Sequence, residues 1–485
     1  MKRFLVAVLF FGVIGFCLAS EPLTTTKSLV RLEGVTHATI VAMADKGFDI
    51  ARAGFDFVEV VLNQDQIKAF AKLSPKSSVL ITDLDKYVSD VLASQKAGAQ
   101  YFTYDTMTQT LKDYVNKYPN ICKLNSIGKS CEGRDIWAFK ISKNPTVDEK
   151  EPRCLIMGDH HAREWISVEV PMATIKMLLE GYGKDERLTR LVDTRECYFV
   201  PMVNPDGMTY SQTKEKFWRK NRRKNSDGTF GVDPNRNYGY KWGGAGASTN
   251  PSDDTYRGPS GFSEPETQAI RDFAQRMQFS ADITFHSYAE LILYPWSYAT
   301  GVTNPDEELF KKFANELAKF NNYTAETSSE MYPSSGDADD FMYGVCKSLS
   351  FTFELAKAFI PAPTEIAGIC DQNVPAVLYL IEKSGTYGLV TPGGAQNIPT
   401  LDTFSAISAL KDLEPLSHND IVADRIQATM HMLAQRVVSE EANGESQTLL
   451  MLQQAASTDP SVQVAFKLAN QCRTFEKLHS GASKN

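Results

Sequence analysis

The segment from Gly158 to Trp165, which reads Gly-Asp-His-His-Ala-Arg-Glu-Trp, constrains the fold of this chain more than any other. An apolar run from Cys154 to Met157 enters the segment and predicts a buried strand. Residues from Ser167 to Gly183 leave it with a helical pattern that ends at glycine. Histidine, arginine and glutamate therefore lie where a strand passes into a helix. In open α/β sheets, ligands bind at that carboxyl end of the strands.

The chemistry predicted for this segment is zinc binding. His161 and Glu164 have the His-x-x-Glu spacing that lets an imidazole and a carboxylate reach one zinc ion, but so short a motif also arises by chance. His286, which follows a strand candidate from Ala281 to Phe285, supplies a third ligand. Two nearby ligands and a distant one are the usual catalytic arrangement, which leaves one position open for water. His160 is one residue too far from Glu164, so we do not interpret it as a ligand.

A catalytic base is predicted at Glu354, near the end of a strand candidate from Ser350 to Leu355. Zinc lowers the pKa of a bound water so that the water can be deprotonated near neutral pH. A carboxylate at another strand end is placed to take that proton and to pass it to a leaving amine.

The N-terminal part of the 485 residues predicts export and a small leading domain. Residues 1–20 begin Met-Lys-Arg, continue with an apolar run and end in small residues, which is typical of a secretory signal peptide. Residues 21–96 alternate strand and helix patterns and predict an α+β unit, with a helix over His37 to Arg52 interrupted by Gly47. A small-residue connector from Gln95 to Gln100 follows. We therefore interpret the unit as a pro-domain, with a permanent accessory domain as the alternative.

Residues 97–386 predict the catalytic domain, a three-layer α/β/α fold with a mixed, mostly parallel twisted sheet. Its apolar strand candidates are Ile136 to Ile141, Cys154 to Met157, Cys197 to Val203, Ala281 to Phe285 and Ser350 to Leu355. A Gly/Asn/Pro-rich excursion between Lys214 and Pro265 is long enough to predict a functional loop. Residues 387–485 keep helical spacing and predict a helical extension.

Composition limits the partners of the chain. The formal net charge of −8 argues against nucleic acid as a main partner. No apolar run after the predicted signal peptide is long enough to cross a bilayer, so no membrane partner is expected. We expect a secreted monomer. Export permits disulfides, and the pairs expected are Cys122–Cys131 and Cys346–Cys370, although connectivity does not follow from sequence alone.

Six motifs occur in one order along residues 101–384. They are Gly158…His161-Ala-Arg-Glu-Trp165, Asn204-Pro-Asp-Gly207, Phe217-Trp-Arg-Lys220, Gly231-Val-Asp-Pro-Asn-Arg-Asn237, Phe285-His-Ser-Tyr288 and Phe351-Thr-Phe-Glu-Leu355. Together they resemble the zinc carboxypeptidases of the A/B type. The resemblance implies hydrolysis of the C-terminal peptide bond of peptides and proteins with one zinc ion. Residues 21–96 resemble the pro-segment of that family by place and size only.

The resemblance also implies a role for each matched residue of the reacting centre. His161, Glu164 and His286 resemble the zinc ligands, and Glu354 resembles the general base and acid. Arg219 resembles the cation that polarises the scissile carbonyl and stabilises its developing oxyanion.

A second group of residues is implied to hold the substrate. Asn235 and Arg236 resemble the clamp for the terminal carboxylate, which arginine binds with two hydrogen bonds. Tyr332 resembles the mobile tyrosine that closes over the same end, and Arg163 resembles a subsite residue beside the clamp. Asp233 resembles the carboxylate that fixes the tautomer of the ligand His161.

Substrate choice is predicted from Asp339, seven residues after Tyr332. Relatives with aspartate at the matching position resemble the B type and take Lys or Arg, whereas those with an apolar residue take apolar ends. A buried carboxylate is costly unless a cation pairs with it, and the small Ser297 and Thr352 leave room for a long side chain. The other interpretation is that the aspartates from Asp337 to Asp340 form an acidic solvated loop or a helix cap.

Three alternative functions remain at this stage. The same fold could act on apolar C-terminal residues, on cell-wall peptides or other unusual amides, or as a peptide-binding protein without catalysis. Cell-wall chemistry would require a changed carboxylate clamp, and a binding protein would have lost a ligand or the base. The sequence retains all of these groups: the clamp of Asn235, Arg236 and Tyr332, the ligands His161, Glu164 and His286, and the base Glu354.

Overall fold

The computed structural model describes residues 26–73, 76–93, 100–149, 151–387 and 389. The predicted signal peptide, most of the predicted connector and nearly all of the predicted helical extension lie outside these residues. No helix of the described residues combines the length and the apolar character needed to cross a membrane.

The described residues form two sheets with helices around them. The strands are β1 (Lys27–Glu33), β2 (Asp49–Ala53), β3 (Phe57–Asn63), β4 (Ser77–Ile81), β5 (Cys122–Lys129), β6 (Asp135–Ile141), β7 (Arg153–Met157), β8 (Glu196–Val200), β9 (Ala281–Ser287), β10 (Leu291–Tyr294), β11 (Thr324–Thr327) and β12 (Leu349–Leu355). The helices are α1 (His37–Asp45), α2 (Gln64–Leu73), α3 (Leu84–Ala93), α4 (Tyr104–Lys117), α5 (Ile166–Gly181), α6 (Glu186–Thr194), α7 (Pro205–Thr213), α8 (Pro265–Met277), α9 (Glu307–Asn321), α10 (Ser328–Met331), α11 (Ala338–Gly344) and α12 (Ile366–Lys383). Short 3₁₀ helices lie at Pro234–Arg236 and Pro363–Glu365.

The N-terminal unit is a small α+β domain with an antiparallel sheet in the order β2-β3-β1-β4. The helix expected over His37 to Arg52 is only partly present, because α1 ends at Asp45 and residues 49–53 form β2. Gly47 has φ 79°, a conformation that glycine adopts without strain. It turns the chain so that Asp49 pairs with Val61 on β3. Glycine therefore ends the helix there and does not merely interrupt it.

The larger unit has the predicted three-layer α/β/α architecture. Its eight-stranded sheet runs in the order β11-β10-β12-β9-β7-β8-β6-β5. The neighbours β12, β9, β7 and β8 are parallel, and β10 and β11 are also parallel. The remaining neighbours are antiparallel, so the sheet is mixed as expected.

The middle of the sheet is buried on both faces, which explains its continuous apolar runs. On β7, Cys154 and Ile156 join one core cluster, whereas Leu155 and Met157 join the cluster on the opposite face. Helices α5 and α12 contribute to the first cluster and α8 and α11 to the second. The strand candidates of the sequence lie on β6, β7, β8, β9 and β12.

The strand ends bring the predicted site together at one edge of the sheet. His161 follows β7, His286 lies near the end of β9, and Glu354 pairs in register with His286 on β12. The long segment between α7 and α8 contains a 3₁₀ turn and isolated β-bridges, and it returns to the same edge. The site is therefore built from strand ends and one long loop.

Both disulfides expected from the sequence are wrong, because all six described cysteines are free thiols. The thiol of Cys122 faces the carbonyl of Tyr118 at 3.2 Å. Cys346 packs against the core cluster on one face of the sheet, whereas Cys370 belongs to the cluster on the other face. The sheet itself therefore separates the second expected pair. The remaining cysteine, Cys472, lies outside the described residues.

Candidate active site

Three buried side chains converge at the centre of this edge. His161 Nδ1 lies 2.8 Å from Glu164 Oε1, and His286 Nδ1 lies 3.0 Å from Glu164 Oε2. The two Nδ1 atoms are 3.1 Å apart. The helix-opening turn before α5 holds Glu164 beside His161, and β9 supplies the third member from the neighbouring strand.

This set of donor atoms fits a zinc ion. Two imidazole nitrogens and a carboxylate are a donor set that zinc takes in catalytic sites, where a fourth position holds water. Their ligating atoms lie within 4.8 Å of one another. His161 Nε2 lies 3.2 Å from Asp233 Oδ1, which is the outer carboxylate that a ligating imidazole typically has. A bound zinc would supply a polarised water of lowered pKa.

His160 supports the site from behind. Its ring stacks on that of His286 with centroids 5.5 Å apart. Its nitrogens lie 3.0 Å from the hydroxyl of Thr284 and 2.8 Å from that of Tyr238. Burial, together with the charges of the neighbouring imidazoles, holds the pKa of His160 well below its usual range. His160 is thus a neutral partner of hydroxyl groups outside the convergent set, and no sequence spacing indicated this role.

Glu354 lies on the wall of the cavity in front of the convergent set. It is half-buried at the end of β12, next to His286 in the register of the sheet. The pKa of its carboxyl is raised to about 8, because burial and the charge of Glu164 together outweigh the opposing charges of His286 and Arg219. A carboxyl with these properties is suited to exchanging a proton with a water near neutral pH.

Arg219 is held in place by a carboxylate from the same long loop. Its Nε and Nη2 donate to Asp233 Oδ2 at 3.0 and 2.9 Å. Burial alone would raise the pKa of Asp233, but the charges of Arg219 and His161 hold it well below its usual range. Asp233 therefore stays ionised and orients both the guanidinium of Arg219 and the outer nitrogen of His161.

The residues predicted to hold a terminal carboxylate line the same cavity. Arg236 donates from Nε to the carbonyl of Gly246 and from Nη1 to that of Asn235, both at 2.8 Å. The amide oxygen of Asn235 accepts the N–H of Ala338 at 2.9 Å. These bonds fix the two side chains on rigid backbone. Tyr332 also lines the cavity.

The N-terminal domain covers this cavity. Ile50 and Ala51 of β2 contribute to its lining, and the phenol of Tyr332 donates to the carbonyl of Ile50 at 3.3 Å. The neighbouring Asp49 accepts two hydrogen bonds from the guanidinium of Arg163, at 2.5 and 2.8 Å. The structure thus brings Arg163 to the site, but gives it a partner that the sequence did not indicate.

Asp339 lines the part of the cavity formed by Ser297, Ser328 and Thr352. Its Oδ1 accepts the hydroxyl of Ser297 at 3.0 Å and the N–H of Asp340 at 2.9 Å. Its Oδ2 accepts the hydroxyls of Ser328 at 3.1 Å and Thr352 at 3.3 Å. The side chain is only 2% exposed, which excludes the solvated acidic loop.

Comparison with known proteins gives the class to which this fold and site belong. A profile of the zinc carboxypeptidases matches residues 107–376. The chain belongs to this family, and it is a hydrolase of C-terminal peptide bonds.

Individual relatives agree with this assignment. The chain is 36% identical over 379 residues to a zinc carboxypeptidase of Saccharothrix mutabilis subsp. capreolus, covering 69% of this chain and 85% of the relative. It is 32% identical over 336 residues to carboxypeptidase B of Homo sapiens, covering 67% and 79%. The crystal structure of thrombin-activatable fibrinolysis inhibitor matches with a TM-score of 0.64 at 25% identity, over 74% of this chain and 99% of that one.

Proposed function

We propose that this chain is a secreted carboxypeptidase that releases C-terminal lysine and arginine with a single zinc ion. His161, Glu164 and His286 hold the zinc. Glu354 accepts a proton from the attacking water and passes it to the leaving amine. Arg219 stabilises the developing oxyanion, in the orientation that its hydrogen bonds to Asp233 favour.

The substrate lies along the cavity between these groups and Asp339. Asn235 and Arg236 bind its terminal carboxylate, Tyr332 closes over that end, and Arg163 forms an adjacent subsite. The rigid seating of Asn235 and Arg236 supports this role, since a clamp must be oriented before the substrate arrives. Cell-wall peptides are less well suited to this cavity, because the clamp for a free carboxylate is complete.

The preference for basic residues rests on one observation, the environment of Asp339. This buried carboxylate accepts four hydrogen bonds from hydroxyl and amide groups. No ion pair joins it to a lysine, arginine or histidine among the described residues. A buried negative charge without a cation is costly, so a substrate side chain that supplies one gains affinity. An apolar side chain would leave the charge unpaired, and this disfavours the alternative of apolar ends.

Residues 21–96 act as an inhibitory pro-domain in this proposal, 97–386 as the catalytic domain, and 387–485 as an extension. The contacts of Asp49 with Arg163 and of Ile50 with Tyr332 support the inhibitory role, since they occupy residues assigned to substrate. We expect cleavage near Lys96 to open the site, with the enzyme acting as a monomer away from membranes and nucleic acids.

The test is a comparison of kcat/KM for peptides that differ only in a final Arg, Lys, Phe or Leu, with zinc-loaded protein before and after limited proteolysis. We expect activity to rise after cleavage and to favour Arg and Lys. A preference for Phe or Leu would contradict the basic specificity. Equal activity before and after cleavage would contradict the pro-domain. The Glu354→Gln variant controls for a contaminating peptidase.

A further inference from the structure

Asp339 is one of three buried carboxylates at this end of the cavity. Asp337, Asp339 and Asp340 are each at most 4% exposed, and their ligating oxygens lie within 4.8 Å of one another. Asp337 lines the cavity together with Asp339. The side chain of Asp340 instead accepts the backbone N–H groups of Ser297 at 2.8 Å and Tyr298 at 2.9 Å.

Asp337 accepts fewer hydrogen bonds than its two carboxylate oxygens allow. Its Oδ1 accepts the N–H of Asp340 and its Oδ2 accepts the hydroxyl of Ser334, both at 3.1 Å. Among the described residues no ion pair reaches Asp337, and the same holds for its two acidic neighbours. Three negative charges so close together in a buried site repel one another strongly.

Carboxyl groups in such a cluster titrate together, and at least one retains a proton where a lone carboxyl would have lost it. Burial raises the pKa of Asp337 well above its usual range, and the charges of Asp339 and Asp340 add to the rise. Burial and the charge of Asp339 raise the pKa of Asp340 in the same way.

Other titratable groups also surround the cluster. The groups on neighbouring elements are Asp282 on β9, Tyr298 after β10, Glu354 on β12, and Arg236, Tyr238 and Tyr240 from the long loop. Asp282 and Tyr238 are sensitive to the negative charge of the cluster, since it helps to raise their pKa values. The guanidinium of Arg236 is directed to backbone carbonyls. None of these groups supplies an ion pair to the aspartates.

We propose that Asp337 is a second specificity-determining carboxylate. Asp337 keeps a proton beside Asp339 in the absence of substrate, and the proton is released when a lysine or arginine side chain of the substrate enters. The proton passes to solvent, and the two carboxylates then face one cation. This inference rests on the proposed preference for basic residues and extends it from one carboxylate to a proton-linked pair.

The pair would make binding of a basic residue depend on pH in a way that binding of a neutral residue does not. At low pH the entering cation must displace a proton, so affinity for a C-terminal arginine falls. A neutral side chain of the same shape displaces nothing. The difference between the two ligands therefore isolates the pocket from the titration of the metal end.

The experiment measures proton release by isothermal titration calorimetry in two buffers with different ionisation enthalpies. The probes are benzoyl-glycyl-arginine and benzoyl-glycyl-citrulline, which differ in charge but hardly in shape. The protein is the zinc-loaded Glu354→Gln variant. It is used in the form, processed or unprocessed, in which the parent enzyme hydrolyses the arginine peptide. This substitution keeps the probe intact and removes the titration of Glu354.

We expect the arginine probe to release up to about one proton near neutral pH and the citrulline probe to release almost none. Adding Asp337→Asn should abolish most of the release and weaken the arginine probe roughly tenfold, with the citrulline probe unaffected. Asparagine keeps an oxygen that can accept the N–H of Asp340, so helix α11 retains its cap. The matched control is Asp185→Asn, which changes the cap of α6 outside the cavity.

Equal proton release by the parent and by Asp337→Asn would overturn the inference, as would no release with the arginine probe. Unchanged affinity in Asp337→Asn would mean that Asp337 is only a helix cap. If the parent instead prefers Phe or Leu in kinetic assays, the proposed specificity fails. A parent that prefers Arg but releases no proton contradicts this inference alone.

Discussion

The carboxylates near the histidines and the carboxylates around Asp339 have opposite kinds of partner. Near the histidines, two carboxylates have partners that carry or can carry positive charge. Glu164 lies against His161 and His286 within 3.0 Å, and Asp233 accepts two hydrogen bonds from Arg219. The protein itself supplies the counter-charges there.

At the other end, the donors that the described residues supply to the carboxylates are hydroxyl and amide groups. Asp337, Asp339 and Asp340 together accept the hydroxyls of three serines and one threonine as well as backbone N–H groups. Hydrogen bonds to neutral donors lower the cost of burying a carboxylate but do not neutralise it. The difference indicates where a positively charged ligand group would find an unpaired carboxylate. In the proposed function, the histidine end holds the metal and carries the reaction, and the aspartate end selects the substrate.

The largest effect is expected at the histidine end. Glu354→Gln should lower kcat by roughly 10²- to 10⁴-fold with zinc content and fold unchanged, because a carboxamide cannot accept the proton of water. Zinc per protein by mass spectrometry and kcat on a peptide ending in Arg measure the two quantities. His286→Ala should lose the metal as well.

The control is Glu308→Gln, an exposed glutamate on α9. It should leave kcat unchanged. Full turnover by Glu354→Gln would remove Glu354 from the proposed mechanism.

The next largest effect is expected at the aspartate end. Asp339→Ile should lower kcat/KM for peptides ending in Arg or Lys by roughly 10²- to 10³-fold, as expected for loss of about 3–5 kcal/mol from a buried charge pair. Peptides ending in Leu or Phe should be hydrolysed as well as before or better. If the preference for Arg and Lys survives the substitution, the two ends do not differ as described.

A smaller effect is expected where the N-terminal domain places a carboxylate against Arg163. Asp49 pairs with Arg163 and lies 3.9 Å from Arg219. Asp49→Ala should weaken the cover by leaving Arg163 unpaired, so uncleaved protein should hydrolyse small substrates roughly tenfold faster. Asp65→Ala, on the exposed face of α2 in the same domain, is the control. No gain in activity would contradict an inhibitory role for Asp49.

The central strands could be predicted from the sequence because each is buried on both faces and reads as one apolar run. The strands β5, β10 and β11 were not predicted. They lie at or near the edges of the sheet, and β5 and β11 are partly exposed. Their short or mixed patterns carry little periodic information.

The site could be predicted as far as its parts are local or belong to ordered motifs. His161 and Glu164 are three residues apart, and the motifs around them brought in His286 and Glu354. The pairing of Arg163 with Asp49 joins two domains, so no local pattern indicates it. The same reason explains the incorrect disulfides, since sequence distance says nothing about which face of the sheet a cysteine occupies.

A carboxyl group outside the cavity offers a comparison with no ligand involved. Glu169 on α5 is 6% exposed, and its Oε1 accepts the N–H of Phe102 at 2.7 Å. Burial raises the pKa of this carboxyl to about 8, and the bond from Phe102 only partly opposes the rise. Within the part of the chain that the structure describes, no ion pair reaches Glu169 or the aspartates of the pocket, but Glu169 does not line the cavity.

The sign of its pH effect follows from the raised pKa. Between about pH 4.5 and pH 8 the unfolded chain loses the proton of Glu169 while the folded chain keeps it, so stability falls as pH rises through this range. Glu169→Gln keeps an oxygen for the N–H of Phe102 and removes the titration. Its Tm should exceed that of the parent by a margin that grows from pH 5 to pH 8. The matching gain in the free energy of unfolding is at most a few kcal/mol, because a tenfold difference in proton affinity between the folded and unfolded chain is about 1.4 kcal/mol. Thermal unfolding at both pH values measures it, with the exposed Glu180→Gln on the same helix as control. A margin independent of pH would mean that burial without a cation does not hold a proton here, and would weaken the same argument for the aspartates of the pocket.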